Sequence, residues 1–161
     1  MNTKSIKGLV LAAALGLTSA VSAQTAAGAV GASAERGRYL VQVAGCNDCH
    51  TPGYAMKSGQ VPESQWLTGD ALGWRGGWGT TYAANLRLRL GAMSEEEWLR
   101  VARLAEYRPP MPWYNLRTMS EEDLRSIWRY VRSLGPAGEP APAYVPPGQM
   151  PTGPVVFFPG P

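Results

Sequence analysis

Both cysteines and the single histidine of this 161-residue chain fall within five consecutive positions, Cys46-Asn47-Asp48-Cys49-His50. The thiol and imidazole chemistry is thus concentrated in one place, and no second site of the same kind can be assembled. Cys-x-x-Cys-His is the spacing of a covalent c-type haem attachment site. On the first turn of a helix, two thiols three residues apart share a face and can each reach a vinyl group of one porphyrin. The next residue then turns its imidazole toward the iron as proximal ligand. Such a macrocycle would dominate folding, because a small domain has a thin core and would bury a large apolar disc within it.

Other uses of the pair fit less well. A zinc site normally takes four Cys/His ligands, and here three are clustered with no distant partner. A thioredoxin-like redox pair follows a strand and opens a helix, whereas the pattern ahead of Cys46 is helical. A disulfide across two residues closes too small a loop to constrain much.

The first residues read as an export signal. Lys4 and Lys7 form a basic start, residues 8–20 are a short apolar run, and Val21-Ser22-Ala23 fits a small-residue cleavage site. Residues 1–23 are therefore expected to be removed, and the apolar run is too short to span a bilayer comfortably. A periplasmic location follows, and the protein should not be an integral membrane protein after cleavage. Discounting the two signal lysines leaves thirteen basic against twelve acidic side chains, about +1 rather than the formal +3 of the whole chain. Two haem propionates would erase even that. With no basic cluster interleaved with aromatics, nucleic acid is not an expected partner.

Residues 24–33 are rich in Ala and Gly and are expected to be flexible. Residues 34–135 hold the domain. Residues 34–46 predict a first helix with Tyr39, Leu40 and Val43 at helical spacing. Residues 51–85, rich in Gly, Thr and Trp, predict loops around the cofactor. Two later helices start alike: Ser94-Glu95-Glu96-Glu97 leads into Trp98, Leu99, Val101, Ala102 and Ala105, and Ser120-Glu121-Glu122-Asp123 into Leu124, Ile127, Trp128, Val131 and Leu134. Gly135-Pro136 ends the second. Arg125, Arg129 and Arg132 line one face of it and are expected to be solvated, Arg125 within reach of Glu121. Residues 136–161 contain nine prolines and four glycines and predict an extended tail with no helix and no sheet, loose rather than docked. The fold class expected is all-α.

With His50 consumed, the opposite axial ligand is a methionine, another weak donor or an open position. Met93 and Met119 precede serine caps and suit hydrophobic staples onto Trp98 and Leu124. Met56 is only six residues past His50, and Met150 lies in the tail. Met111 remains, within Arg108-Pro109-Pro110-Met111-Pro112-Trp113. Flanking prolines fix φ and stiffen the loop, a sensible way to hold a thioether at iron. The plainer use of the same segment is a stiff connector with Met111 filling a core gap.

The order of a first helix, Cys46-x-x-Cys49-His50, a long loop region, Pro110-Met111-Pro112 and a terminal amphipathic helix resembles the monohaem class I cytochromes c over about residues 34–134. The resemblance implies that fold, with three to four helices around one covalent haem c, Gly/Trp-rich loops and, as an addition, the Pro-rich tail. It implies that Cys46 and Cys49 bind the haem and that His50 and Met111 ligate the iron. It further implies a small residue on the first helix meeting an aromatic on the last, here Gly37 or Leu40 against Ile127 or Tyr130. A proline carbonyl usually receives the proximal imidazole N–H, with Pro52 or Pro62 as candidates. Asn85 sits where a polar residue often lies near the haem, and Trp66, Trp74 or Trp78 are placed to offer an indole N–H to a propionate, although ordinary packing accounts for each of them.

His/Met ligation leaves no substrate position, so the activity implied is one-electron transfer, not enzymatic bond-making. Expected partners are periplasmic or membrane-bound redox proteins, a dehydrogenase as donor and an oxidase or reductase as acceptor. Two alternatives stay open: a gas-binding or peroxidatic haem with an open sixth position, and a thiol–disulfide oxidoreductase using Cys46 and Cys49.

Overall fold

The computed structural model describes Met1 and residues 31–159, and the account below concerns the unit Gly31–Pro161. The expected signal 1–23 and most of the segment 24–33 lie outside the described residues.

Six helices and a three-stranded sheet follow in the order α1 (Ala34–Val43), α2 (Cys46–His50), β1 (Gly73–Gly76), β2 (Gly79–Tyr82), α3 (Leu86–Gly91), α4 (Glu95–Leu104), α5 (Trp113–Thr118), α6 (Glu121–Leu134) and β3 (Val155–Phe157). The expectation of an all-α chain is corrected by the sheet: the protein is mixed α/β. The described helices are the larger part, and the sheet is a small appendage to them.

Each long helix begins where a serine can cap it. Ser33, Ser94 and Ser120 accept hydrogen bonds from the N–H groups of Arg36, Glu97 and Asp123, satisfying donors that have no partner inside the helix. Acids in the first turns of α4 and α6 suit the dipole at those ends. Helix α6 buries Leu124, Ser126, Ile127, Tyr130 and Val131. On α1 the inward face is Gly37, Leu40 and Val41, whereas Tyr39 and Val43, which the spacing also offered, are exposed. The first helix also stops three residues early: Gly45, at φ +71°, breaks it and lets α2 start afresh at Cys46.

Helices α1 and α6 cross in close backbone contact at Gly37. A Cβ built on Gly37 would lie 2.0 Å from the Ser126 carbonyl oxygen and 2.7 Å from Tyr130 Cβ. The expected meeting of Gly37 with Tyr130 is present, with the backbone at Ser126 as the tighter neighbour. Around it, Ser126 Oγ accepts from Ser33 N–H at 3.1 Å, and Tyr130 Oη donates to Glu63 at 2.8 Å. The arginines of α6 do more than face solvent. Arg125 pairs with Glu121, Glu95 and Glu96 at 2.7–2.9 Å, Arg129 reaches Glu95, and Arg132 donates to the Gly91 carbonyl, tying α6 to α4 and α3.

Residues 51–85 are not all loop. Strands β1 and β2 pair antiparallel from Gly73↔Tyr82 to Gly76↔Gly79, a two-residue hairpin turned at Gly77-Trp78. The Pro-rich segment supplies the third strand. β3 pairs parallel with β1 from Gly73↔Val155 to Arg75↔Phe157, and Val145 exchanges two backbone hydrogen bonds with Thr80 on the other edge. A loose tail without sheet is therefore corrected: its backbone donors between prolines find partners in the hairpin, and Phe158 packs against Trp74 and Trp78 at ring separations of 5.9 and 5.5 Å.

Two outcomes test this packing. Gly37→Ala forces rigid backbone apart and is expected to lower stability by about 3 kcal/mol, the upper part of the overpacking range, read from the urea midpoint. The Tyr130 hydroxyl, and secondarily Arg38, hold the Glu63 carboxyl below its ordinary 4.5. A depressed carboxyl stabilises the fold above its unfolded value and loses that contribution as the pH falls through its folded value. The urea midpoint of Glu63→Gln should accordingly fall less than that of the wild type on acidification below 4.5.

Candidate haem site

Helix α2 is only one turn and a half, yet it fixes all three residues of the motif. Cys46 and Cys49 are free and half-buried, and His50 is buried. The α2 backbone is anchored at its far side: Asn47 is fully buried, its Oδ1 accepts from Thr51 Oγ1 at 2.8 Å, and Thr51 Oγ1 accepts from Leu67 N–H at 2.8 Å. Neither Asn47 nor Thr51 was singled out by the motif. An Asn–Thr pair at i, i+4 on the face opposite the cysteines is the signal that marks them.

The His50 imidazole is held through Nδ1, 2.7 Å from the Ala84 carbonyl oxygen. That bond leaves Nε2 to face a metal, with Nδ1 carrying the proton. Pro52 and Pro62, the expected acceptors, are exposed and do not serve; the acceptor comes from the segment after β2. Burial pushes the imidazole below its ordinary 6.5, against a smaller opposing effect of the Ala84 bond, so the ring is neutral at neutral pH and able to ligate.

The segment carrying Ala84 is laced on both sides. Gly69 N–H donates to the His50 carbonyl at 2.8 Å, Asp70 N–H to Ala83 O at 3.1 Å, and Leu86 N–H to Leu67 O at 2.9 Å. Asn85 is buried, but its side chain is spent: Oδ1 caps α3 at Leu88 N–H, and Nδ2 donates to the carbonyls of Ala137 and Glu139. Its expected place as a polar neighbour of the cofactor is replaced by a structural one. Buried Arg87 donates to the carbonyls of Ser64, Leu134 and Gly135, closing the end of α6.

Among the methionines, Met56 and Met150 are 89% and 69% exposed, which removes them as ligands in a dry site. Met111 is half-buried against the same core cluster as Cys46. Its loop is pinned to β2 by Thr81 Oγ1, which donates to Pro109 O at 2.7 Å, and to the tail by Arg108 stacked 3.8 Å over the Tyr144 ring. Met119 also packs on the cluster, at the end of α5 ahead of the Ser120 cap, as a staple would.

These residues fit a covalent haem in donor chemistry: two free thiols on one short helix, a neutral imidazole with Nε2 available, and one half-buried thioether. Four buried donors, Asn47 Nδ2, Arg117 Nε and the indole N–H groups of Trp74 and Trp78, have no acceptor among the described residues; Asn47 lies on the far side of α2, so of the four it is the two indoles of the hairpin that a carboxylate-bearing group would use. Trp66 is different, because its N–H already donates to Val61 O at 2.8 Å.

The rival uses of the cysteines fare worse. Among the described residues no group of three or more His, Cys, Asp or Glu side chains could hold a metal ion, so a zinc cage is absent there. A redox pair needs a thiol whose ionisation is eased, but burial pushes Cys46 from its ordinary 9.0 up to about 11 and also raises Cys49. Comparison with family models, with curated proteins and with solved structures gives no match for this chain.

The thiol chemistry is checked in chain prepared without haem. A thiol raised to about 11 holds about a hundredth of the thiolate of an unperturbed one at neutral pH. Alkylation of Cys46 should be slower than that of a model thiol by a similar factor, followed by mass spectrometry at pH 7.

Proposed function

We propose that this protein is an exported one-electron carrier whose working centre is a single haem c, attached through Cys46 and Cys49 and ligated by His50 and Met111 in a class I cytochrome c-like fold. The observation that carries the reading is His50: a buried, neutral imidazole directly after a pair of free cysteines, with its Nδ1 tied to Ala84 O at 2.7 Å. An orienting acceptor behind a ligating histidine is how such a ring is fixed and its basicity raised.

When bound, the group supplies an iron couple that exchanges one electron with little rearrangement. The chain's part is positioning. Cys46 and Cys49 would tether the macrocycle edge, His50 would set the iron's proximal side, and the Pro-flanked Met111 would hold sulfur opposite and keep water away. Trp74 and Trp78 would offer indole N–H groups to carboxylates. Redox partners, a dehydrogenase-type donor and an oxidase- or reductase-type acceptor, would meet the protein in brief contacts of small area. The basic, apolar and small-residue order of residues 1–23 supports export to the periplasm. Among the described residues no helix is long and apolar enough to cross a membrane.

Protein purified from the periplasm is expected to have the mass of the chain plus one haem, resistant to acid acetone, with a narrow reduced α-band. The bare chain mass would overturn the reading. A sixth position filled by Met111 predicts weak carbon monoxide binding to the reduced protein. Met111→Ala should tighten it by about tenfold or more, the loss of a ligand bond worth at least about 1.4 kcal/mol. Equal affinity in both proteins would favour the open-site alternative.

A further inference from the structure

The Pro-rich tail is hydrogen-bonded to the segment behind His50 through the Asn85 side chain. Asn85 follows Ala84, the acceptor for His50, and its side-chain amide donates to two tail carbonyls, Ala137 O at 2.8 Å and Glu139 O at 3.1 Å. Between those carbonyls Gly138 adopts φ +71°. A Cβ there would lie 3.1 Å from Thr68 Cβ and 3.3 Å from Asn85 Nδ2, so the close approach of the strap to that amide leaves little room for a side chain. Asn85 is 4% exposed, and a buried amide leaves this arrangement only by forfeiting both bonds. Two residues on, Arg87 fastens the same stretch to Leu134 and Gly135, at the root of the tail.

We infer that the start of the tail, acting through Asn85, is a positioning strap for the proximal histidine: it fixes the Ala84 carbonyl against His50 Nδ1 and thereby sets the electron donation of that ligand. The inference rests on the haem reading proposed above. A firmly held acceptor gives the imidazole more anionic character, which favours the oxidised iron. Loosening the strap weakens that bond and favours the reduced form. Asn85 and Gly138 touch neither iron nor ligand and work through the Ala84 carbonyl alone.

The test uses the full-length haem protein and three variants. Asn85→Ser keeps an oxygen to cap α3 but loses both tail bonds. Gly138→Ala attacks the same contact from the tail side, through a strained φ and a crowded Cβ. Tyr130→Phe weakens the fold at the Glu63 contact and removes none of the hydrogen bonds made by residues 83–87. Asn85→Ser and Gly138→Ala are each expected to move the oxidised-to-reduced ratio at fixed poise about threefold toward the reduced form. That is about 28 mV, from 59 mV per decade for one electron. The sulfur-to-iron charge-transfer band should persist. In a Met111→Ala background the iron–imidazole stretching frequency of the reduced protein should fall with either substitution, and Tyr130→Phe should move neither quantity. Haem attached but potential and stretching frequency unchanged in both strap variants overturns the inference and leaves the haem reading intact. Wild-type protein without covalent haem overturns both.

Discussion

Five consecutive residues, 83–87, are where otherwise separate parts of this molecule are joined. Ala83 accepts from the loop at Asp70, Ala84 accepts from His50, Asn85 caps α3 and grips the tail, and the N–H groups of Leu86 and Arg87 both point to Leu67 O. The Arg87 side chain then closes α6. Nearly all of these are hydrogen bonds to main-chain carbonyls in buried or half-buried surroundings, where leaving one unmade costs about 1–3 kcal/mol. The segment has few alternatives to the position it occupies, and the imidazole it orients is correspondingly restricted.

That arrangement explains which features were legible in the sequence. The serine caps at Ser94 and Ser120 and the stop at Gly135 depend on side-chain identity at local spacing, and each is found in place, whereas the Gly37–Tyr130 meeting, which is also present, was implied by the resemblance and by no local pattern. The Ala84 carbonyl depends on none: any residue supplies a carbonyl, and the chain must return from the β2 hairpin before one arrives. Proline was therefore a misleading guide to the acceptor. The prolines around Met111 pointed to a stiff loop, and that loop is found pinned at Pro109 and Arg108, whereas α3 and α5, each six residues long, are too short to show a helical period.

The tail shows how composition can mislead in the other direction. Nine prolines exclude a helix, but they also cut the conformational freedom that ordering must overcome. With fewer backbone donors to satisfy, the tail needs only a few acceptors, and the hairpin edges supply them at Val145 and residues 155–157. The pairing Trp74↔Val156 joins strands far apart in sequence, so no local pattern announces it. Residues 51–85 were expected to be loops throughout, and the signal passed over there was Gly76-Gly77-Trp78-Gly79, a Gly-rich turn flanked by Trp74, Thr80 and Thr81.

The distribution of these contacts also bears on how a domain of this size would hold the proposed centre. Its core is thin, and one short helix carries all three motif residues, so precision must come from what surrounds that helix. On one side Asn47 and Thr51 lock α2 to Leu67, and on the other Ala84 locks the ring. The thioether loop is pinned separately, by Thr81 to β2 and by Arg108 to Tyr144 of the tail, whose hydroxyl donates to Trp78 O. The hairpin and the tail thus support both proposed axial ligands at once, through Ala84 and Asn85 behind His50 and through Thr81 and Tyr144 behind Met111. The helices supply the crossing at Gly37, while the hairpin, the segment that leaves it and the tail supply the Ala84 carbonyl and the Tyr144 ring that stand behind the two proposed ligands.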